Sequence, residues 1–246
     1  RPQSIMNFFQ QRGQIQPWRG GKNFHRCLRG LCGVGSMAEA VRQQQTHAVI
    51  AEIKLRPGVV FHNGAPFAAE LDVAYTLVNT AHDDGQAQLR ALSPIWKVPV
   101  AEVDGRTLFD SRVIVDWLTT TRGYGPLRAP RDRWQEANVL NAIDAAIESA
   151  IQVFYLRREG FDPMTIPFGP RQLERVAAIF EWVAGELPTY DPARGLGLAE
   201  LSLVCALDWM DFRQAYPTER HAEDFATLRA AIGARDSVAS TRPIVS

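Results

Sequence analysis

Asp110 and Ser111 stand directly before Val113, Ile114, Trp117 and Leu118, whose spacing predicts a helix. Ser111 is read as its N-cap, because a hydroxyl there can accept a hydrogen bond from a free first-turn amide. The chemistry open to such a place is anion binding, since unpaired amides and the helix dipole converge on it. The plainer role is a cap and nothing more. Lys97 precedes a short apolar run that contains Pro99, and taken alone it is a solvated charge. The loop His62–Pro66 offers His62 and Asn63 as side chains that could donate to a reacting group. His25, Cys27 and Cys32 lie in a glycine-rich stretch and do not make a convincing metal set.

The elements that must position these groups form a compact series. Lys97–Val103 is a strand candidate, and Asp104-Gly105 is a strong two-residue hairpin turn because both positions tolerate positive φ. Thr107–Phe109 can pair back, and the capped helix follows at once. Proline has no N–H to give a ladder, so Pro99 is placed at the first residue of its strand with Val98 outside it.

Elsewhere the chain divides by composition. Residues 1–36 carry six Lys or Arg and no Asp or Glu, and read as a disordered or non-native extension. The remaining residues hold 21 basic and 27 acidic side chains, a balance of −6, which gives no global pull toward nucleic acid. Residues 37–57 read as a helix of uncertain role, over Ala38–Leu55, stopped by Pro57-Gly58. Val59–Phe61 reads as a first strand, Phe67–Leu71 as one or two helical turns, Val73–Thr80 as a strand and Gln86–Leu92 as a short helix. Gly123–Pro126 is a linker. Beyond it, Leu140, Ile143, Ile147, Ile151 and Phe154, then Leu173, Val176, Phe180, Val183 and Leu187, recur at helical spacing. Leu198–Phe212 is apolar on most faces and is expected to be a central buried helix. No apolar run approaches a membrane span. Three cysteines make no disulfide framework, which favours a reducing compartment, the cytoplasm.

The segment Ser93–Leu118 resembles the second half of the N-terminal domain in the glutathione transferase family. The matching residues are Ser93-Pro94, Lys97-Val98-Pro99-Val100, Asp110-Ser111, Ile114 and Trp117-Leu118. GLGLAELSLVCALDWMDFR resembles the family's buried sixth helix, with Gly197 and Glu200 where the family has a Ser/Thr-x-x-Asp box. Arg235–Pro243 is similar to its closing segment. The resemblance implies an α+β thioredoxin-like domain over residues 58–122 and an all-α helical bundle over residues 128–246. It departs at the first βα unit, where the helix after Pro66 is about two turns short.

What the resemblance implies about function is specific. Glutathione would be a co-substrate, with a cis Val98–Pro99 bond presenting the Val98 backbone to its central peptide. Ser111 and its amide would hold the γ-glutamyl carboxylate, Asp110 the neighbouring ammonium, and Lys97 the glycyl carboxylate. The family places Tyr, Ser or Cys after the first strand to stabilise the thiolate. None stands in this loop, and Asn63 is the replacement expected here. Trp96, Tyr155 and Trp209 are expected to line a pocket for a small hydrophobic electrophile, between the two domains. The implied activity is an enzyme of detoxification, a cytoplasmic homodimer needing no metal, nucleic acid or membrane. Two other readings share the fold: a catalytically impaired binding or scaffold protein, and a glutathione-dependent lyase, dehalogenase or reductase.

Overall fold

The computed structural model describes residues 51–54, 64–78, 83–187 and 191–241. Its first element is strand β1, Ala51–Lys54, which joins β2, Tyr75–Leu77, β3, Val100–Val103, and β4, Arg106–Phe109, in a sheet of order β2-β1-β3-β4. β1 runs parallel to β2, with Ala51 opposite Tyr75, and antiparallel to β3, with Ile53 opposite Ala101. Between β1 and β2 comes helix α1, Gly64–Glu70, and between β2 and β3 helix α2, Asp83–Leu92. Parallel neighbours require a crossover, and α1 supplies it.

β1 corrects the helix expected over Ala38–Leu55. Within the described part of that span, Ala51–Lys54 is a strand. Its Ala and Glu content favours helix locally, but pairing on both edges overrides a weak propensity. The sheet therefore takes in Ala51–Lys54, ahead of the span over residues 58–122 expected to hold it. The strand expected over Val59–Phe61 lies outside the described residues. α1 has seven residues, so it is short, as expected. It starts at Gly64 because Pro66 is tolerated in a first turn, where its missing N–H has no partner to lose.

The helical part follows α3, Ser111–Arg122. It consists of α4, Arg133–Arg158, α5, Phe168–Glu186, α6, Leu198–Arg213, α7, Ala222–Gly233, and the short α8, Asp236–Ala239. α4 is long and apolar enough, by length and composition, to cross a membrane. Its apolar side chains Val139, Ile143, Ala146, Ala150 and Val153 are instead buried within the protein. α6 is enclosed on nearly all sides: Leu201, Leu203, Val204 and Ala206 are each 0% exposed. Phe67 of α1, Ala101 of β3 and Ile114 of α3 belong to the same apolar cluster as α6, so one core underlies sheet and bundle.

Candidate functional site

The site is built by the β3–β4 hairpin. Asp104 and Gly105 take φ values of 50° and 71°, the left-handed pair that a two-residue turn needs to match strand twist. The turn fixes the register, placing Val100 opposite Phe109. One step further out, Pro99 must face Asp110, and the Asp110 N–H donates to the Pro99 carbonyl at 3.3 Å. The residue before β3 and the residue that opens α3 are thereby held side by side.

Around that contact the Val98–Pro99 bond is cis, Pro99 is buried and Lys97 is exposed. Trp96 is 62% exposed at φ 52°, with the Arg90 guanidinium 5.3 Å from its ring centroid, a cation–π geometry. Sequence reasoning missed Arg90, since a contact between the last turn of α2 and the following loop has no local spacing rule.

The helix mouth corrects the cap. Asp110, not Ser111, is the N-cap of α3: its Oδ1 accepts from the Arg112 N–H at 2.9 Å, and Ser111 is the first helical residue. Asp110 has φ 83° and ψ 137°, a positive-φ conformation outside the left-handed helical well that is uncommon for any residue with a side chain. Ser111 is nearly buried, at 8% exposure. Arg112 points away from the mouth. Its Nε donates to Asp144 Oδ2 and its Nη2 to the Leu140 carbonyl, both at 2.5 Å, tying α3 to α4.

The residues expected on the helical side form a separate group. Phe154 meets Tyr155 at a tilt and Trp209 edge-on, at centroid distances of 5.6 Å and 6.3 Å. Tyr155 is partly exposed and lies under Arg158. Trp209 is only 4% exposed. It is a core residue of α6 rather than an open pocket wall, because that helix has almost no solvent face. Asn63 lies outside the described residues, immediately before Gly64 of α1. Among the described residues, no group of three or more His, Cys, Asp or Glu is placed to hold a metal ion.

A second cleft lies at the start of α4 and contains none of these residues; Arg128, Pro130, Asp132, Glu136, Leu187 and Glu200 are on its walls. There the Glu136 carboxyl is pushed up to about 7, by burial first and then by the charge of Glu200, with Arg128 and Arg112 opposing. From its ordinary 4.5 up to about 7 the folded chain holds a proton that the unfolded chain has released. Stability therefore falls as pH rises through that window. Glu136→Gln is expected to raise the melting temperature clearly at about pH 8 and hardly at all at about pH 4. Thermal unfolding of both proteins at the two pH values checks this, and an equal gain at both would remove the buried charge as its cause.

Comparison with known proteins fits this geometry. Residues 64–121 match the family described as glutathione S-transferase, N-terminal domain. No curated protein matches the sequence. Among solved structures, a glutathione S-transferase from Methylobacterium radiotolerans in complex with glutathione sulfonate is 17% identical, with a TM-score of 0.64 over 80% of this chain and 96% of that one. A glutathione S-transferase from Methylobacillus flagellatus with glutathione bound is 21% identical, with a TM-score of 0.65 over 79% of this chain and 100% of its own. A glutathione transferase family member from Pseudomonas fluorescens with bound glutathione is 23% identical, with a TM-score of 0.63 over 79% and 100%. The strand order, the hairpin that leads into α3 and the bundle behind it agree with these likenesses: residues 64–121 match the glutathione S-transferase N-terminal domain, and the chain has the fold of those structures, a thioredoxin-like domain followed by a helical one.

Proposed function

We propose that this chain is a glutathione transferase, which binds glutathione between Val98–Pro99 and the mouth of α3 and directs its thiolate at a small hydrophobic electrophile. The observation that carries the reading is the Asp110 N–H to Pro99 carbonyl bond at 3.3 Å. It sets Pro99 beside Asp110, which supports a site offering the three kinds of group that the tripeptide would need. The first turn of α3 and Ser111 would take the γ-glutamyl carboxylate, which the helix dipole favours. Asp110 would take the ammonium, the Val98 backbone the central peptide, and Lys97 the glycyl carboxylate. Asn63 would donate to the thiolate. Trp96, already faced by a cation, would offer an exposed indole to a flat electrophile, with Tyr155 as a further contact.

The same reading has two copies pairing through α3 and α4, where Val113 and Trp134 are 48% and 68% exposed. It puts the protein in the cytoplasm, where thiols stay reduced, and calls for no metal, nucleic acid or membrane.

The test is retention on immobilised glutathione, followed by a conjugation assay with 1-chloro-2,4-dinitrobenzene. There the thiolate forms a C–S bond to the ring and chloride leaves. The expected result is retention, elution by free glutathione, and conjugation above the uncatalysed rate. A protein that passes unretained sinks the reading. Retention without conjugation of this or other electrophiles would leave the binding-protein alternative.

A further inference from the structure

α2 is charged as its dipole prefers. Asp83 and Asp84 stand in its first turn and Arg90 in its last. Gly85 and Leu89 are buried, and Arg90, one residue on from Leu89, is exposed. The chain leaves the helix by a tight path. The Ser93 N–H donates to the Leu89 carbonyl at 3.0 Å, and the Trp96 N–H to the Ser93 carbonyl at 3.4 Å. Ser93 is buried, so the loop is held at its root. It brings Trp96 back to the last turn of α2, where the indole meets the Arg90 guanidinium.

Two features of Trp96 work against local stability. Its φ of 52° is rare for a bulky side chain, and its indole stays mostly exposed. Strained residues persist only where the surroundings hold them, and they gather at ligand sites. The charge beside Trp96 is unanswered as well. Among the described residues, neither Arg90 nor Lys97 makes an ion pair. Asp84 is six residues back along α2, about 9 Å of helix axis. At physiological salt, charges that far apart are largely screened. In the reading above Lys97 answers the glycyl carboxylate and the mouth of α3 the γ-glutamyl one. Arg90 is then a cation beside the site with no anion of the tripeptide left to meet. A guanidinium can lie against an aromatic ring and still offer its edge to a carboxylate in two bonds.

We propose that Arg90 and Trp96 are specificity-determining residues: they select aromatic electrophiles that carry an anionic group, the ring lying against the indole and the anion meeting the guanidinium. The inference rests on the proposed function and deepens it, since it names the class of electrophile. The reaction itself is the same. The glutathione thiolate forms a C–S bond at the halogen-bearing ring carbon, and halide leaves with the bonding pair.

The test compares two probes on the full chain. One is 1-chloro-2,4-dinitrobenzene, which is neutral, and the other is 4-chloro-3,5-dinitrobenzoate, which adds a carboxylate to a similar ring. The readout is the ratio of kcat/KM, benzoate over neutral probe, each divided by its uncatalysed rate constant. Misfolded protein lowers both rates alike and leaves that ratio untouched. The ratio is expected to exceed one in wild type, to fall about tenfold in Arg90→Met, and to fall further in Arg90→Glu. Arg90→Lys keeps the charge without the fork and should lie between wild type and Arg90→Met. Added salt should lower the wild-type ratio and hardly move that of Arg90→Met. Trp96→Ala should lower kcat/KM for both probes, since the ring loses its platform. A wild-type ratio below one would overturn the inference. So would a ratio that Arg90→Met leaves unchanged while KM for glutathione rises, because Arg90 would then hold the tripeptide. A wild-type chain that conjugates neither probe would overturn the proposed function and this inference together. Conjugation of both probes, with a ratio that Arg90→Met does not move, would overturn this inference alone.

Discussion

Asp110→Asn is expected to weaken glutathione binding about tenfold while leaving the fold almost as stable. The substitution separates two jobs that one side chain holds. As N-cap, Asp110 accepts from the Arg112 N–H at 2.9 Å, and an asparagine amide oxygen can accept the same bond, since Asn and Asp cap about equally well. The backbone at φ 83° and ψ 137° burdens Asp and Asn alike, since their side chains branch in the same way. What disappears is the negative charge. Its favourable interaction with the helix dipole is worth about 0.3–1 kcal/mol at the surface, so the melting temperature should drop by only a few degrees at most. The proposed partner of that charge is the ligand's ammonium. A hydrogen bond to a charged group contributes about 1.5–3 kcal/mol, and the exposed position puts Asp110 at the lower end, near a factor of ten in Kd. Because the pair is open to solvent, the gap between variant and wild type should narrow as salt is added. Calorimetric titration with glutathione at two ionic strengths, beside thermal melts, measures all three quantities. Equal affinity for the two proteins would take the ammonium away from Asp110. A parallel fall in affinity and stability would show that the cap, not the charge, was at work.

The site's frame was legible because its signals are local. A two-residue Asp-Gly turn, a proline that must stand outside a ladder and an apolar period of three to four are read within about twenty residues. They give the hairpin, and they place the strand start and the helix start each within one residue: Pro99 is expected where the strand begins at Val100, and Ser111 as the cap where Asp110 serves. Decisions made by distant partners were not legible. Ala51–Lys54 is a strand because β2 and β3 flank it, and neither neighbour lies in the window that suggested a helix. Asp110 and Ser111 are both good caps by type, and the hairpin register decides between them by handing the Pro99 carbonyl to Asp110. Trp209 reads as a wall or a core residue with equal ease on a helix apolar all round, until the whole of α6 is seen to be enclosed. Glu70 of α1 pairs with Arg235 at the head of α8, Nε to Oε1 at 2.6 Å, and no spacing within either segment announces it.

Gly197 is the clearest such case, and it leads to the largest stability effect expected here. By sequence it is a weakened cap, with Glu200 left to reach back to it. In the structure a Cβ at Gly197 would lie 2.4 Å from Glu200 Oε2 and 2.8 Å from Arg128 Nη2, so the missing side chain makes room for an ion pair. Arg128 Nη2 donates to Glu200 Oε1 at 2.5 Å, its Nη1 to the Gly195 carbonyl at 2.9 Å, and its backbone N–H to the Leu196 carbonyl at 2.7 Å. One residue just beyond the linker thus fastens the start of the central helix. Arg128→Met keeps the stem and removes the charge, leaving the Glu200 carboxylate, 5% exposed, without its cation. Breaking a buried pair costs about 3–5 kcal/mol. The Arg128 side chain is 30% exposed, so solvent screening brings the expected loss to about 2–3 kcal/mol. Arg128 also opposes the upward push on Glu136, so the loss should grow with rising pH, as the Glu136 carboxyl ionises with less to offset it. Urea unfolding at about pH 5 and about pH 8 measures both the size and the trend. Adding Glu200→Met to Arg128→Met should restore much of the loss, because two apolar side chains leave no unpaired charge. If the two substitutions prove additive, Arg128 and Glu200 are not coupled, and the glycine at 197 needs another cause.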